Sequence, residues 1–146
     1  MWLDVSIQHN PFDFAKEEVA LRSKCPEIGG MVGFQGLVRS HDTVTPLRAL
    51  CIEHYPNFTE SEIAKIAQQA AKHWPIIACR IIHRVGELLP GEPIVLVLVG
   101  TQHRHAAFCA VQFLMDHIKT EAPLWKREEL IDGSHYWVKG QSINRL

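Results

Sequence analysis

The sequence predicts an α+β fold, a mainly antiparallel sheet with three helices. Three observations lead there. Helical patterns occur at three places, the last two ended by Pro75 and Pro123. Strand-like runs come mostly in consecutive pairs, in the order strand, helix, two strands, helix, two strands, helix, two strands. The connections within those pairs are short enough for hairpins, Asp132-Gly133 being the strongest such signal, which favours antiparallel pairing over a doubly wound parallel sheet. The length, 146 residues, suits one domain spanning 1–146 that buries most of its apolar surface.

The elements follow in order. Leu3, Val5 and Ile7 alternate with Asp4, Ser6 and Gln8, the period of a half-buried strand. Asn10-Pro11 and Asp13 open a short helix reaching about Arg22. Gly29, Gly30, Gly33 and Gly36 punctuate an extended stretch ending at Arg39, a spacing that predicts bulges or close backbone approach rather than a nucleotide-binding loop. A loop through His41 to Pro46 leads to a strand from Leu47 to Tyr55. Thr59 and Glu62 have the spacing of a capping box, ahead of Ile63, Ile66, Ala67, Ala70, Ala71 and Trp74 at helical period. Ile76 to Val85 reads as a strand, Pro90-Gly91 as a turn and Ile94 to Val99 as a central strand. A long helix from Arg104 to Glu121 precedes strands at Leu124 to Leu130 and His135 to Val138.

Composition excludes several functional classes. The chain is 47% hydrophobic and 21% charged, and 15 basic against 16 acidic residues leave a net charge of -1. That gives no global attraction to nucleic acid or to an anionic membrane. The N-terminal residues lack the pattern of a secretory signal, and no run reaches membrane-spanning length. Cys25, Cys51, Cys79 and Cys109 form no CxxC pair, so they are expected to be small core residues in a reducing, cytoplasmic setting.

The third helix carries the strongest functional signal. His103, Arg104 and His105 open it, Lys119 lies in its last turn, and Lys126 and Arg127 follow Pro123. Cations at both ends of a largely buried helix, in a chain of near-zero net charge, point to a pocket for a small anion. A lysine desolvated near other cations can lose enough basicity for proton transfer or attack on a carbonyl, which singles out Lys119 and Lys126. The competing structural reading has Lys119 complementing the helix C-terminus and Lys126 pointing outward from an edge strand. Arg39, His103 and Arg104 form a second group suited to phosphate, since two basic residues at a helix start oppose its dipole unless an anion joins them. His103 and His105 are two residues apart on a helix and point different ways, so no metal is expected there. His83-Arg84 reads at most as a supporting pair behind a site. From Arg104 to Lys119 the helix rises roughly 22 Å at 1.5 Å per residue, so the two ends are expected to meet only across two copies of the chain in a symmetric homodimer.

These residues also carry a family resemblance. GFQGLVRSH at 33–41, EHYPNFTESEI at 53–63, IIHRVGELLPGE at 81–92, HRHAAFCAVQFLMDHIKTEAPLWKRE at 103–128 and the close Tyr136-Trp137-Val138 cover nearly the whole chain in order. In these stretches the chain resembles the large, catalytic subunit of molybdopterin synthase. The resemblance implies an α/β-hammerhead-like domain and a cytoplasmic sulfurtransferase, needing no metal or other cofactor, that converts cyclic pyranopterin monophosphate to molybdopterin. It implies a homodimer within a heterotetramer, each end carrying a small ubiquitin-like subunit whose Gly-Gly C-terminal thiocarboxylate donates sulfur. It also implies Lys119 and Lys126 as catalytic residues, Arg39, His103 and Arg104 as substrate-binding residues, and Phe34 and Met115 as pocket lining. The tail, with Lys139, Gln141 and Arg145, departs from the family pattern, and His41 and His105 match it loosely. Two other readings use the same residues: a non-enzymatic dimer that binds a phosphorylated metabolite or a partner's C-terminal peptide, and a metal-dependent hydrolase built on His103 and His105.

Overall fold

A computed structural model of the chain describes residues 1–40 and 44–138. Eight strands and three helices follow in the order β1 (Trp2–Gln8), α1 (Phe14–Lys24), β2 (Gly30–Leu37), β3 (Leu47–His54), α2 (Phe58–His73), β4 (Ile76–Arg84), β5 (Gly86–Leu88), β6 (Pro93–Thr101), α3 (Arg104–Glu121), β7 (Leu124–Leu130) and β8 (His135–Trp137). The expected α+β class and three helices hold, with two refinements. The strands divide into two four-stranded sheets, ordered β1-β4-β6-β2 and β5-β3-β7-β8. Five of the six pairings are antiparallel, and β1 runs parallel to β4.

The first sheet is covered on both faces. Along β6, Val95, Val97 and Val99 join the core under α2 and α3, while the intervening Leu96 and Leu98 join the core under α1. A strand buried on both sides needs no polar alternation, which explains the continuous apolar run. Gly33 permits the close approach expected of its glycine-rich stretch, since a Cβ there would lie 2.6 Å from both Phe14 and Leu98 side-chain atoms. The expected bulge falls between Gly36 and Leu37.

One strand escapes sequence reading. Gly86, at φ +90°, turns the chain out of β4 and straight into the three-residue β5, which pairs with β3 in the second sheet. The Asp132-Gly133 turn behaves as expected: Gly133 has φ +88°, and the Ser134 N–H donates to the Asp132 carboxylate at 2.9 Å.

The expected capping box does not form. The helix α2 begins at Phe58, with Asn57 as its N-cap and no side-chain capping bond. The fully buried Thr59 hydroxyl instead accepts from the Tyr55 N–H at 2.9 Å and donates to the Pro123 carbonyl at 3.0 Å. Pro123 joins α3 to β7, so Thr59 fixes the connection between Lys119 and Lys126. Thr59→Val leaves two backbone groups without that partner and is expected to cost about 1–3 kcal/mol, while Thr59→Ser retains most of the stability. Urea midpoints of the two variants check this.

Candidate functional site

Where the end of β2, the last turns of α3 and the start of β7 converge, they enclose a cavity of about 530 Å³, a volume suited to a small ligand. Phe34, Arg39, Met115, Lys119 and Lys126 all line it, so five of the seven expected site residues meet in one chain. Their placement follows from local structure. Met115 and Lys119 are four apart on α3 and share a face. Phe34 lies on β2, and Arg39 follows the bulge that ends that strand. Lys126 is not on an edge: β7 lies between β3 and β8, with Lys126 opposite Ile52 and its carbonyl accepting from the Val138 N–H at 2.7 Å.

Burial and charge alter the chemistry of this cavity. Loss of hydration, reinforced by the charge of Lys119, pulls Lys126 down from 10.5 to about 8. An amine of that basicity is still mainly protonated at neutral pH, yet holds a free-base fraction of roughly one-tenth. It can therefore give or take a proton without a large penalty.

His83 is the lining residue that sequence reading underrated. It ends the apolar run Ile81-Ile82 on β4 and is only 3% exposed. Burial, followed by the positive charge of Lys126, pushes it down to about 3, against the opposing effect of a backbone hydrogen bond. That bond joins Nδ1 to the Arg84 carbonyl at 2.8 Å. Arg84 itself turns away, donating to the His9 and Pro93 carbonyls. The available signal was a histidine inside an otherwise apolar strand pattern.

His103 and Arg104 are not part of this cavity. They lie exposed at the start of α3, beside a separate hollow that also involves Gly29, Gln102 and His105. Within one chain the two ends of the helix thus stay apart, as its length requires. His105 Nε2 lies 3.5 Å from Cys109 Sγ one turn on. Among the described residues, Cys51, Glu87 and Glu129 bring possible metal-ligand atoms within 4.8 Å of one another, but Arg48 pairs with both carboxylates. The cysteines are unpaired; Cys25 and Cys79 are buried as expected, whereas Cys51 and Cys109 are only partly so. His41 and the tail residues Lys139, Gln141 and Arg145 lie outside the described residues. Among those described, no helix is long and apolar enough to cross a membrane.

Comparison with known proteins identifies the family. The family model described as MoaE protein matches residues 7–121. The chain belongs to the MoaE family. The molybdopterin synthase catalytic subunit of Brucella melitensis is 48% identical over 132 residues, covering 90% of this chain and 80% of that protein. The one from Pseudomonas aeruginosa is 42% identical over 137 residues, covering 94% and 91% respectively. Among solved structures, the molybdopterin biosynthesis MoaE protein of Burkholderia ambifaria superposes with a TM-score of 0.83 at 43% identity, covering 97% of this chain and 92% of that one. The MoaE match includes Phe34, Arg39, His103, Arg104, Met115 and Lys119. Lys126 lies five residues past its end at 121, and joins the group through the cavity that β7 completes.

Proposed function

We propose that this MoaE-family chain is the catalytic subunit of a molybdopterin synthase, acting in the cytoplasm to convert cyclic pyranopterin monophosphate to molybdopterin by sulfur transfer. The observation that carries this reading is the pairing of Lys119 with a Lys126 held near pKa 8, beside Arg39, in a single cavity. The sulfur donor is the C-terminal thiocarboxylate of a small ubiquitin-like partner with a Gly-Gly end. An anionic donor has to approach an anionic phosphate ester, and fixed cations in a partly desolvated space offset their repulsion. Attack of the thiocarboxylate sulfur on an oxygen-bearing carbon of the substrate forms a carbon–sulfur bond as a carbon–oxygen bond there breaks, the oxygen leaving on the phosphate or, once protonated, as water, and joins the partner to the substrate by an acyl-thio link. Water then adds to the acyl carbonyl through an oxyanion. Cleavage of the acyl carbon–sulfur bond releases the partner as a carboxylate and leaves sulfur on the substrate; two rounds build the dithiolene.

Lys119 is assigned to the oxyanion and Lys126 to proton transfer or substrate positioning. Arg39, with His103 and Arg104 supplied by a second copy of the chain, binds the phosphate and pterin, while Phe34 and Met115 shape the wall. The helix length supports this division, since the two ends of α3 are too far apart to share one small ligand. The assembly is then a homodimer of this chain with one small subunit at each end.

Incubation with a thiocarboxylated Gly-Gly-ending partner and cyclic pyranopterin monophosphate is expected to yield dithiolene product. Absence of product with a partner shown to be competent elsewhere would favour the dimeric binder. The two readings also separate at Lys126→Gln, which costs a binder only modest affinity but removes turnover from an enzyme that still binds substrate.

A further inference from the structure

The cations of the cavity explain how it holds an anion, but they offer no acceptor. Lys119, Lys126 and Arg39 carry hydrogen-bond donors only. A substrate ring bearing N–H or O–H groups needs the opposite partner. Gln35 and Thr120 line the cavity too, but an amide and a hydroxyl can each present donor or acceptor as they turn.

His83 has no such freedom. The Arg84 carbonyl, 2.8 Å from Nδ1, can only accept, so Nδ1 carries the proton and Nε2 carries the lone pair. Nε2 has no hydrogen-bond partner among the described residues, and the ring, 3% exposed, lines the cavity. Register fixes its position further: His83 is held between Ile7 of β1 and Val95 of β6 inside the first sheet. Nε2 opens onto the cavity rather than being sealed in the interior, so a ligand that supplies a donor takes the place of water there.

We propose that His83 is a substrate-binding residue of this cavity, whose Nε2 accepts a hydrogen bond from an N–H or O–H donor on the ring system of the substrate. The proposal rests on the sulfur-transfer reading of the site and adds its selectivity for a donor-bearing heterocycle over a bare phosphate. The surroundings keep the imidazole neutral. Lys126 faces it from β7, His54 lies on β3, and Lys119 and Arg39 border the same cavity. Burial, followed by the charge of Lys126 and a smaller effect of His54, holds the ring at a pKa of about 3, so Nε2 remains an acceptor throughout the neutral range.

The test compares two ligands on the complete complex with its small subunit. For His83→Phe, which removes the acceptor, the Kd for cyclic pyranopterin monophosphate is expected to rise about tenfold, the loss of one buried hydrogen bond. The Kd for inorganic phosphate should stay within twofold of the wild type. Equal loss for both ligands, or for neither, overturns the proposal. So does an unchanged pterin KM with a shifted alkaline limb in the pH–rate profile, which would show His83 acting through Lys126. Nitrogen NMR of the wild-type complex supplies a readout that does not depend on a variant folding: the Nε2 resonance moves upfield when the pterin binds and stays in place with phosphate. An unmoved Nε2 resonance in pterin-bound complex overturns the His83 assignment alone. A wild-type complex that binds phosphate but no pterin overturns the sulfur-transfer reading as well.

Discussion

Lys119→Ala is expected to lower kcat for sulfur transfer by about 10²–10³-fold with the small subunit saturating, the usual loss when a fixed oxyanion partner is removed. The position explains the size of the effect. Lys119 lies in the final turn of α3, half-buried, on the face that carries Met115 into the cavity. The Thr59–Pro123 tether fixes the chain just beyond it. A cation held there needs little reorganisation when charge develops on the acyl carbonyl. Binding of the partner is expected to change far less than kcat, because the contact strengthens as the oxyanion forms. A second consequence is independent of the first. Without the charge of Lys119, part of the depression of Lys126 disappears, so the alkaline limb of the residual pH–rate profile moves upward. Single-turnover rates of Lys119→Ala and Lys119→Arg across pH measure both effects. A wild-type rate for the alanine variant removes Lys119 from the chemistry.

The sequence was most informative where local rules act alone. The third helix starts at Arg104 and ends at Glu121 as read, because an apolar stripe is followed by a proline that cannot continue it. The Asp132-Gly133 turn is legible because glycine tolerates the left-handed backbone found there. Legibility fails where the partner is distant. The Thr59 hydroxyl has the sequence neighbours of a capping residue, yet bonds to Pro123, 64 positions away. The passage of the chain from β4 into the second sheet turns on one left-handed residue, Gly86, and a three-residue strand gives too little pattern to read. The parallel β1–β4 pairing follows from a crossover through four intervening elements, which periodicity does not encode.

The site divides in the same way. Lys119 and Lys126 could be brought together because they flank a single helix stop, whereas Arg39, grouped by its chemistry with His103 and Arg104, was joined to the lysines only by the family resemblance. The separation of His103 and Arg104 from them was a matter of helix length. What could not be read was burial: whether Lys126 lies on an edge, and whether His83 reaches the cavity, depend on how the second sheet packs beside the first.

Lys126→Met is expected to stabilise the chain while abolishing transfer, because the wild-type residue holds a charge where hydration is poor. The native pKa of about 8 lies below the unfolded value near 10.5, so the unfolded chain binds more protons between those limits. The stability linked to this group is therefore present in full above the unfolded value and is lost as pH falls through the native one. Near neutral pH the wild type bears the whole penalty. The full shift corresponds to about 3 kcal/mol, and partial exposure of the side chain reduces the expected gain for the methionine variant to about 1–2 kcal/mol. Methionine retains an unbranched apolar stem of similar reach, so the gain reflects loss of the charge rather than repacking. Urea midpoints at neutral and at strongly alkaline pH test the sign directly. The variant should exceed the wild type at neutral pH, and the gap should close as the wild-type amine loses its proton. A variant less stable at neutral pH, with a gap independent of pH, would show that Lys126 is well solvated and that the cavity does not hold it ready for proton transfer.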